Sequence, residues 1–176
     1  MTHLITITGT ESTGKTTLAE KLSMHYKTAY VADYSRYYID QINRPYSLTD
    51  VLAIANGIIE QEDKMLKHAG PILFSDNDLI NIKIWLQYYK WQIPTWLESE
   101  IIKRKSELYL LCDIDLPWIA DGQRANPNDR TELFTKFAEE LTNYNTNFKY
   151  VTGTTHERVE IAVAHIDTYL NSLSIS

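Results

Sequence analysis

Cysteine is almost missing from this chain: its 176 residues hold one, Cys112. A lone thiol cannot close an intramolecular disulfide, which excludes a disulfide scaffold and predicts a reducing compartment. Because Cys112 sits in the apolar run Tyr-Leu-Leu-Cys-Asp-Ile, a small core residue is expected there rather than a nucleophile. Long hydrophobic runs are missing too. None approaches the roughly 20 residues needed to cross a bilayer, and a core strand begins so early that no cleaved signal is expected before it. A cytoplasmic protein without a membrane partner is the expectation.

Cations are in deficit as well. Lys and Arg number 17 against 23 Asp and Glu, giving a formal charge of -6 and a pI near 5.3. Non-specific nucleic-acid binders need clustered Lys and Arg against phosphates, so no nucleic-acid partner is expected. The one tight basic cluster, Lys103-Arg104-Lys105, is read as a solvated helix face. His3, His25, His68, His156 and His165 are scattered without zinc-ligand spacing. No repeat, linker or low-complexity tract is visible, and the length suits a single domain over residues 1–176 with a core of its own.

What is present begins at Gly9. Gly9-Thr10-Glu11-Ser12-Thr13-Gly14-Lys15-Thr16 fits G-x-x-x-x-G-K-[ST], a phosphate-binding loop. Its flanks are those the motif requires. His3 to Thr8 is a β-branched run suited to a buried strand, and from Thr17 onward Leu18 and Leu22 fall on one helical face. Glycines let the backbone curl so that successive N–H groups, with the positive end of the helix dipole, surround phosphate oxygens. Lys15 then reaches the β and γ phosphates, and the Thr16 hydroxyl coordinates magnesium. Gly9 to Thr17 are therefore the candidate nucleotide-binding residues, with ATP and Mg²⁺ as the ligands.

Acids follow two further strands. Thr28 to Ala32 reads as the second strand and breaks into Asp33-Tyr34-Ser35-Arg36. At the carboxyl edge of an open α/β sheet ligands bind, so Asp33 has two compatible readings: a cap for the next helix, or an acceptor for the proton of an attacking hydroxyl. A capped helix starts at Ser47, with Val51, Leu52, Ala55, Ile58 and Ile59 as its stripe. Ile72 to Asp76 is a hydrophobic strand closing on an acid, the shape of a Walker B element whose carboxylate holds Mg²⁺. Asp78, two residues on, is the alternative acid facing the substrate.

Between Asn77 and Trp96 lie Trp85, Tyr88, Tyr89, Trp91 and Trp96, with Pro94 dividing two helical patterns. Most of these rings are expected in the core, leaving one or two to stack on a flat ligand. After a fourth strand at Tyr109 to Cys112, the polar stretch from Asp113 to Arg130 is long for a plain connection and is read as a lid over about 117–130. Arg124 and Arg130 are its candidates for neutralising a transferring phosphoryl group; surface ion pairing is the alternative use. A helix from about Asp129 to Tyr144, a fifth strand at Phe148 to Thr152, and a last helix entered through Gly153 and a Thr154–Glu157 capping box complete the chain. Gly153 and Thr154 are candidates for the adenine side.

Together GTESTGKTTLAEKL, DYSRYY, FSDND, DLPWIADGQR and VTG resemble the P-loop kinase domain of NadR-type proteins, the ribosylnicotinamide kinases of NAD salvage. The resemblance spans nearly the whole chain. Its most specific part is the lid, here Asp115, Pro117, Trp118, Asp121, Gly122 and Arg124. Departures are Asp33 and Tyr37 where the family often carries Glu, and Ala120 in place of the first acid of Asp-Asp-Gly.

The resemblance implies that Gly9 to Thr16 hold ATP, that Asp76 works with Mg²⁺, and that Asp33, Tyr34 and Arg36 face a nucleoside-like small molecule. It also implies a lid from Trp118 to Arg130 closing on the phosphates. Lys15, Asp33, Arg36, Arg124 and Arg130 are then the catalytic set, with Asp78 and Trp118 also on the substrate side. The expected fold is a three-layer α/β sandwich around a five-stranded parallel sheet. By likeness to P-loop kinases, the second and third strands lie to one side of the first and the fourth and fifth to the other. An ATP-operated switch acting on a protein partner is the competing class. A GTPase version lacks both an Asn-Lys-x-Asp element and an Asp-x-x-Gly after the third strand.

Overall fold

Alternation along the fourth strand explains the layering. In β4 (Leu108–Cys112), Leu108, Leu110 and Cys112 pack into one hydrophobic cluster, while Tyr109 and Leu111 pack into another on the opposite face. Successive strand side chains point to opposite faces, so a strand buried on both sides must be apolar throughout. The computed structural model describes residues 2–119 and 128–173. In it β1 (His3–Thr8), β2 (Tyr30–Val31), β3 (Ile72–Asp76), β4 and β5 (Phe148–Val151) form an all-parallel sheet in the order β2-β3-β1-β4-β5. That is the expected architecture and the expected strand order.

One face is covered by α1 (Lys15–Tyr26) and α7 (Thr155–Leu173), whose Leu18, Leu22, Ala162 and Ile166 meet Ile5, Ile7 and Phe74. The other face carries α3 (Leu48–Leu66), α4 (Leu79–Tyr88), α5 (Thr95–Lys103) and α6 (Arg130–Asn143). Helix α4 is buried on several sides, through Leu79, Ile80, Ile82, Ile84 and Leu86. Its one cation, Lys83, is matched accordingly: Nζ lies 3.1 Å from Glu98 and 2.9 Å from Glu140, and 4.6 Å from the Tyr144 ring centroid. Pro94 precedes α5, as its fixed φ and missing N–H favour at a helix start.

Two local features depart from the sequence reading. Strand β2 is reduced to Tyr30 and Val31, because it is an edge strand paired only with β3. The chain then turns at once into α2 (Tyr34–Gln41). Arg104 is not on a solvated face: its guanidinium meets Asp63 at 2.6 Å, Glu100 at 2.6 Å and Glu62 at 3.3 Å, tying α3 to the end of α5. Burial nevertheless raises the Glu62 carboxyl.

Candidate active site

The phosphate loop leaves the sheet at the carboxyl end of β1, beside β4. A Cβ on Gly9, whose φ is 133°, would stand 2.9 Å from the Cys112 carbonyl oxygen, so the loop can pass β4 only as glycine. Ser12 and Gly14 also take left-handed conformations (φ 59° and 76°), and Gly14 caps α1. The curl is held from within: Thr13 Oγ1 donates to the Thr10 carbonyl at 2.8 Å, and Lys15 Nζ donates to the same oxygen at 2.8 Å. An ammonium on a flexible stem can exchange that carbonyl for a phosphate oxygen.

Behind the loop, Thr16 Oγ1 donates to Asp76 Oδ2 at 2.6 Å. Asp76 is buried, and its Oδ1 has no hydrogen-bond partner. Burial pushes its carboxyl up to about 6, with Lys15 and Thr16 pulling it down and Asp33 adding repulsion. An orphaned buried carboxylate oxygen beside a hydroxyl is a hard donor pair suited to Mg²⁺, which takes few protein ligands and completes its shell from phosphate and water. Among the described residues no cluster of three or more His, Cys, Asp or Glu could hold a metal, so a cage of protein ligands is not built there.

The loop opens directly into a cleft. Helix α2 lines it with Ser35, Arg36 and Ile39, and Asp33 stands at that helix's N-terminus. Asp33 Oδ1 accepts from the Ser35 amide at 3.0 Å and from Ser35 Oγ at 2.5 Å. Both capping bonds fall on one oxygen, leaving Oδ2 to the cleft chemistry, so the two readings of Asp33 coexist. Helix α4 contributes Asn81, Ile84, Trp85 and Tyr88, and α6 contributes Leu133 and Phe137.

Tyr46 closes the far wall. Its ring meets Trp85 edge-on at 4.9 Å, and its hydroxyl pairs with that of Tyr89 at 2.6 Å. The segment carrying it is pinned by Arg44, which grips Asp50 through two guanidinium nitrogens at 2.6 and 2.8 Å, and by the capping box between Asp50 and Ser47. These contacts hold the Asp50 carboxyl far below the usual carboxylate range.

A phosphate loop, a lone orphaned acid behind it and an adjoining cleft belong to nucleotide-dependent domains, and the profile of the AAA domain family matches residues 4–158. The chain belongs to the AAA domain family. It is similar to the trifunctional NAD biosynthesis/regulator protein NadR of Escherichia coli K12, at 30% identity over 152 residues, covering 82% of this chain and 37% of that protein. The Salmonella typhimurium LT2 protein of the same description is 28% identical over 155 residues, covering 84% and 37%. The chain thus spans little more than a third of the curated relatives it matches.

Among solved structures, a NadR protein in complex with NR superposes with a TM-score of 0.77 at 19% identity, covering 96% of this chain and 51% of that one. Deoxyadenosine kinase from M. mycoides, with products dCMP and dCDP bound, superposes at 0.67 with 10% identity, covering 94% and 99%. At such identities the likeness is one of fold.

Against this AAA domain frame, some expected residues sit elsewhere. Asp78 does not face the cleft. It caps α4, accepting from the Asn81 amide at 3.2 Å, and lines a separate small cavity with Glu62 and Tyr109, where burial pushes its carboxyl up to about 7. The cause is Asn77, whose φ of 99° breaks the strand's alternation between the two acids. Tyr34 is packing: its ring covers Gly57 of α3, so closely that a Cβ there would fall 2.0 Å from it. Trp118 does not line the cleft; its neighbours Pro117 and Ile119 are bonded to Ser12 Oγ at 3.4 and 2.8 Å.

Arg130 heads α6 and already reaches the loop, donating to the Leu116 carbonyl at 3.0 Å and to the Ser12 carbonyl at 3.4 Å. Burial and the neighbouring Arg158 lower its pKa. Arg124, with Asp121 and Gly122, lies outside the described residues, as does the middle of the expected lid. Thr17 lines both the cleft and a groove on the far side of the loop. Gly153 donates its amide to Asp115, and the Thr154 amide donates to Glu157 at 2.7 Å, so these two make the turn into α7.

Sequence reasoning missed Tyr46, Asn81 and Arg158. Tyr46 and Asn81 carry no local signal, since a loop tyrosine and a polar residue in the first turn of a helix are ordinary. Arg158 did carry one. It falls four and eight residues before Ala162 and Ile166, on the buried stripe of α7, where an unpaired charge is costly.

Proposed function

We propose that the protein is a small-molecule kinase that transfers the γ-phosphoryl group of ATP to a nucleoside hydroxyl, with nicotinamide riboside as acceptor and NAD salvage as its setting. Residues 1–176 act as one kinase unit. The observation that carries the reading is that one cavity joins the phosphate loop to Asp33 and Arg36, with Asp76 bonded to Thr16 of that loop.

The loop amides and Lys15 bind the triphosphate, and Thr16 with Asp76 would hold magnesium, which when bound offsets phosphate charge. Asp33 Oδ2 accepts the proton of the incoming hydroxyl. The new O–P bond forms to the γ-phosphorus while the bond to the β–γ bridging oxygen breaks, and ADP departs. Catalysis is chiefly positioning and charge neutralisation, to which Lys15, Arg36, Arg130 and the lid's Arg124 contribute. The acceptor choice rests on the far wall: a flat, positively charged pyridinium ring suits a cleft edged by Trp85, Tyr46 and Tyr88, because aromatic faces attract cations. No helix among the described residues is long and apolar enough to cross a membrane, and the buried free Cys112 accords with a cytoplasmic setting.

The test is incubation of the purified protein with ATP·Mg²⁺ and a panel of nucleosides, read by mass spectrometry. Phosphorylated nicotinamide riboside is the expected product. Phosphorylation of deoxynucleosides alone would overturn the acceptor, and ATP turnover indifferent to every hydroxyl compound would favour a switch acting on a protein.

A further inference from the structure

Arg158 is among the largest fully buried side chains of the protein, yet it is charged. A guanidinium has five N–H donors, and here each has an acceptor. Nε donates to the Gly153 carbonyl at 2.8 Å. Nη1 donates to the carbonyls of Thr13 at 3.0 Å and Val151 at 3.3 Å, and Nη2 to the carbonyl of Asp113 at 3.0 Å and to the Asp115 carboxylate. The other Asp115 oxygen accepts the Gly153 amide. One side chain thus joins the end of β4, the end of β5, the turn into α7 and the phosphate loop.

The bond to Thr13 has a directional consequence. A trans peptide is planar, and its C=O and N–H point in opposite directions. Holding the Thr13 carbonyl against Arg158 therefore aims the Gly14 amide the opposite way, and Arg130 on the Ser12 carbonyl does the same for the Thr13 amide. Neither amide has an acceptor among the described residues. Two N–H groups fixed in direction and left without partners are what an anion-binding loop needs.

We propose that Arg158 is the positioning residue of the phosphate loop: from behind, its buried fork fixes the peptide planes whose amides meet the nucleotide's phosphates. The proposal rests on the loop binding phosphate, but not on the identity of the acceptor. A fork is required, since a lysine offers a point charge that cannot hold carbonyls from four segments at once.

The test is calorimetric titration of the wild type and Arg158→Lys with magnesium tripolyphosphate and, separately, with adenosine, beside steady-state kinetics. Arg158→Lys should lose about ten- to a hundredfold in tripolyphosphate affinity, as expected for losing hydrogen bonds made by a charged group, with adenosine affinity held within about twofold. KM for ATP should rise while KM for the nucleoside stays. Asp115→Asn, which keeps the side chain's shape but removes the ionic anchor, should show the same selectivity at smaller amplitude, and it carries the test if Arg158→Lys fails to fold. Equal losses for adenosine and tripolyphosphate would overturn the proposal in favour of a role in shaping the base groove. A lower melting temperature with unchanged tripolyphosphate affinity would reduce Arg158 to a structural clamp. A wild type that binds no tripolyphosphate would overturn the phosphate-loop reading itself.

Discussion

Gly57→Ala tests how packing supports the acceptor side. Gly57 lies in the interior of α3, where alanine is favoured over glycine by about 1 kcal/mol, so propensity alone predicts a gain. The surroundings predict a loss. The added Cβ would fall 2.0 Å from Cε1, 2.4 Å from Cζ and 2.5 Å from Cδ1 of Tyr34, which is a face-on collision with a stiff ring rather than with a flexible chain end.

Overpacking of this kind costs about 1–3 kcal/mol, and so deep an overlap belongs at the upper end, near 3. Net destabilisation is then about 2 kcal/mol. For a chain of this size that corresponds to a fall of roughly 4–8 °C in melting temperature. Relief comes only if Tyr34 moves, and Tyr34 opens α2, the helix that carries Arg36 and is capped by Asp33. The variant should therefore raise the nucleoside KM while leaving affinity for an ATP analogue unchanged. Thermal melts with KM measurements for both substrates are the assay. In the double variant Tyr34→Ala/Gly57→Ala, the cost of Gly57→Ala should vanish. A single variant that melts higher than wild type with unaltered kinetics would refute the reasoning.

Lys15→Ala should lower phosphotransfer by about a thousandfold or more with little change in melting temperature, since the hydrogen bond of its ammonium among the described residues is to its own loop; activity within tenfold of wild type would remove it from the phosphate site. Trp85→Ala should raise the KM for nicotinamide riboside about tenfold and affect a neutral nucleoside less, as loss of a cation–π wall implies. Asp78→Asn should flatten the pH dependence of stability. The carboxyl is held near 7 in the fold against 3.8, so the folded state keeps a proton that the unfolded state has lost, and stability falls as pH rises from about 4 to about 7. Asparagine keeps the cap, and at pH 8 it should gain up to about 4 kcal/mol by urea denaturation without magnesium; an unchanged slope would contradict this. Cys112, buried and pushed up to about 11, should react with a thiol reagent at pH 8 only at the rate of unfolding.

Strands buried on both faces announced themselves. β1, β3 and β4 read as hydrophobic runs because each packs into two clusters, Leu4 and Leu73 facing away from Ile5, Ile7, Ile72 and Phe74. Strand β2 was overestimated because one neighbour supports only two residues of ladder. The shape of the phosphate loop was legible, since glycine, lysine and threonine encode it locally. The cleft was legible only in part. Asp33 and Arg36 follow a strand end, whereas Tyr46 reaches the site through a loop fixed by Arg44 and Asp50, and such placement has no local signature. Asp78 was misjudged because alternation was assumed to continue past Asp76.

That broken alternation sets which carboxyl groups line the cleft. With Asn77 extended, the acids on either side of it would share one face, and Asp78 would join Asp33 and Asp76 at the cleft. A kink one residue long keeps that third carboxyl in the small cavity with Glu62 and Tyr109 instead. Restricting residue 77 to extended geometry would therefore weaken triphosphate capture through charge alone, with every contacting side chain still present.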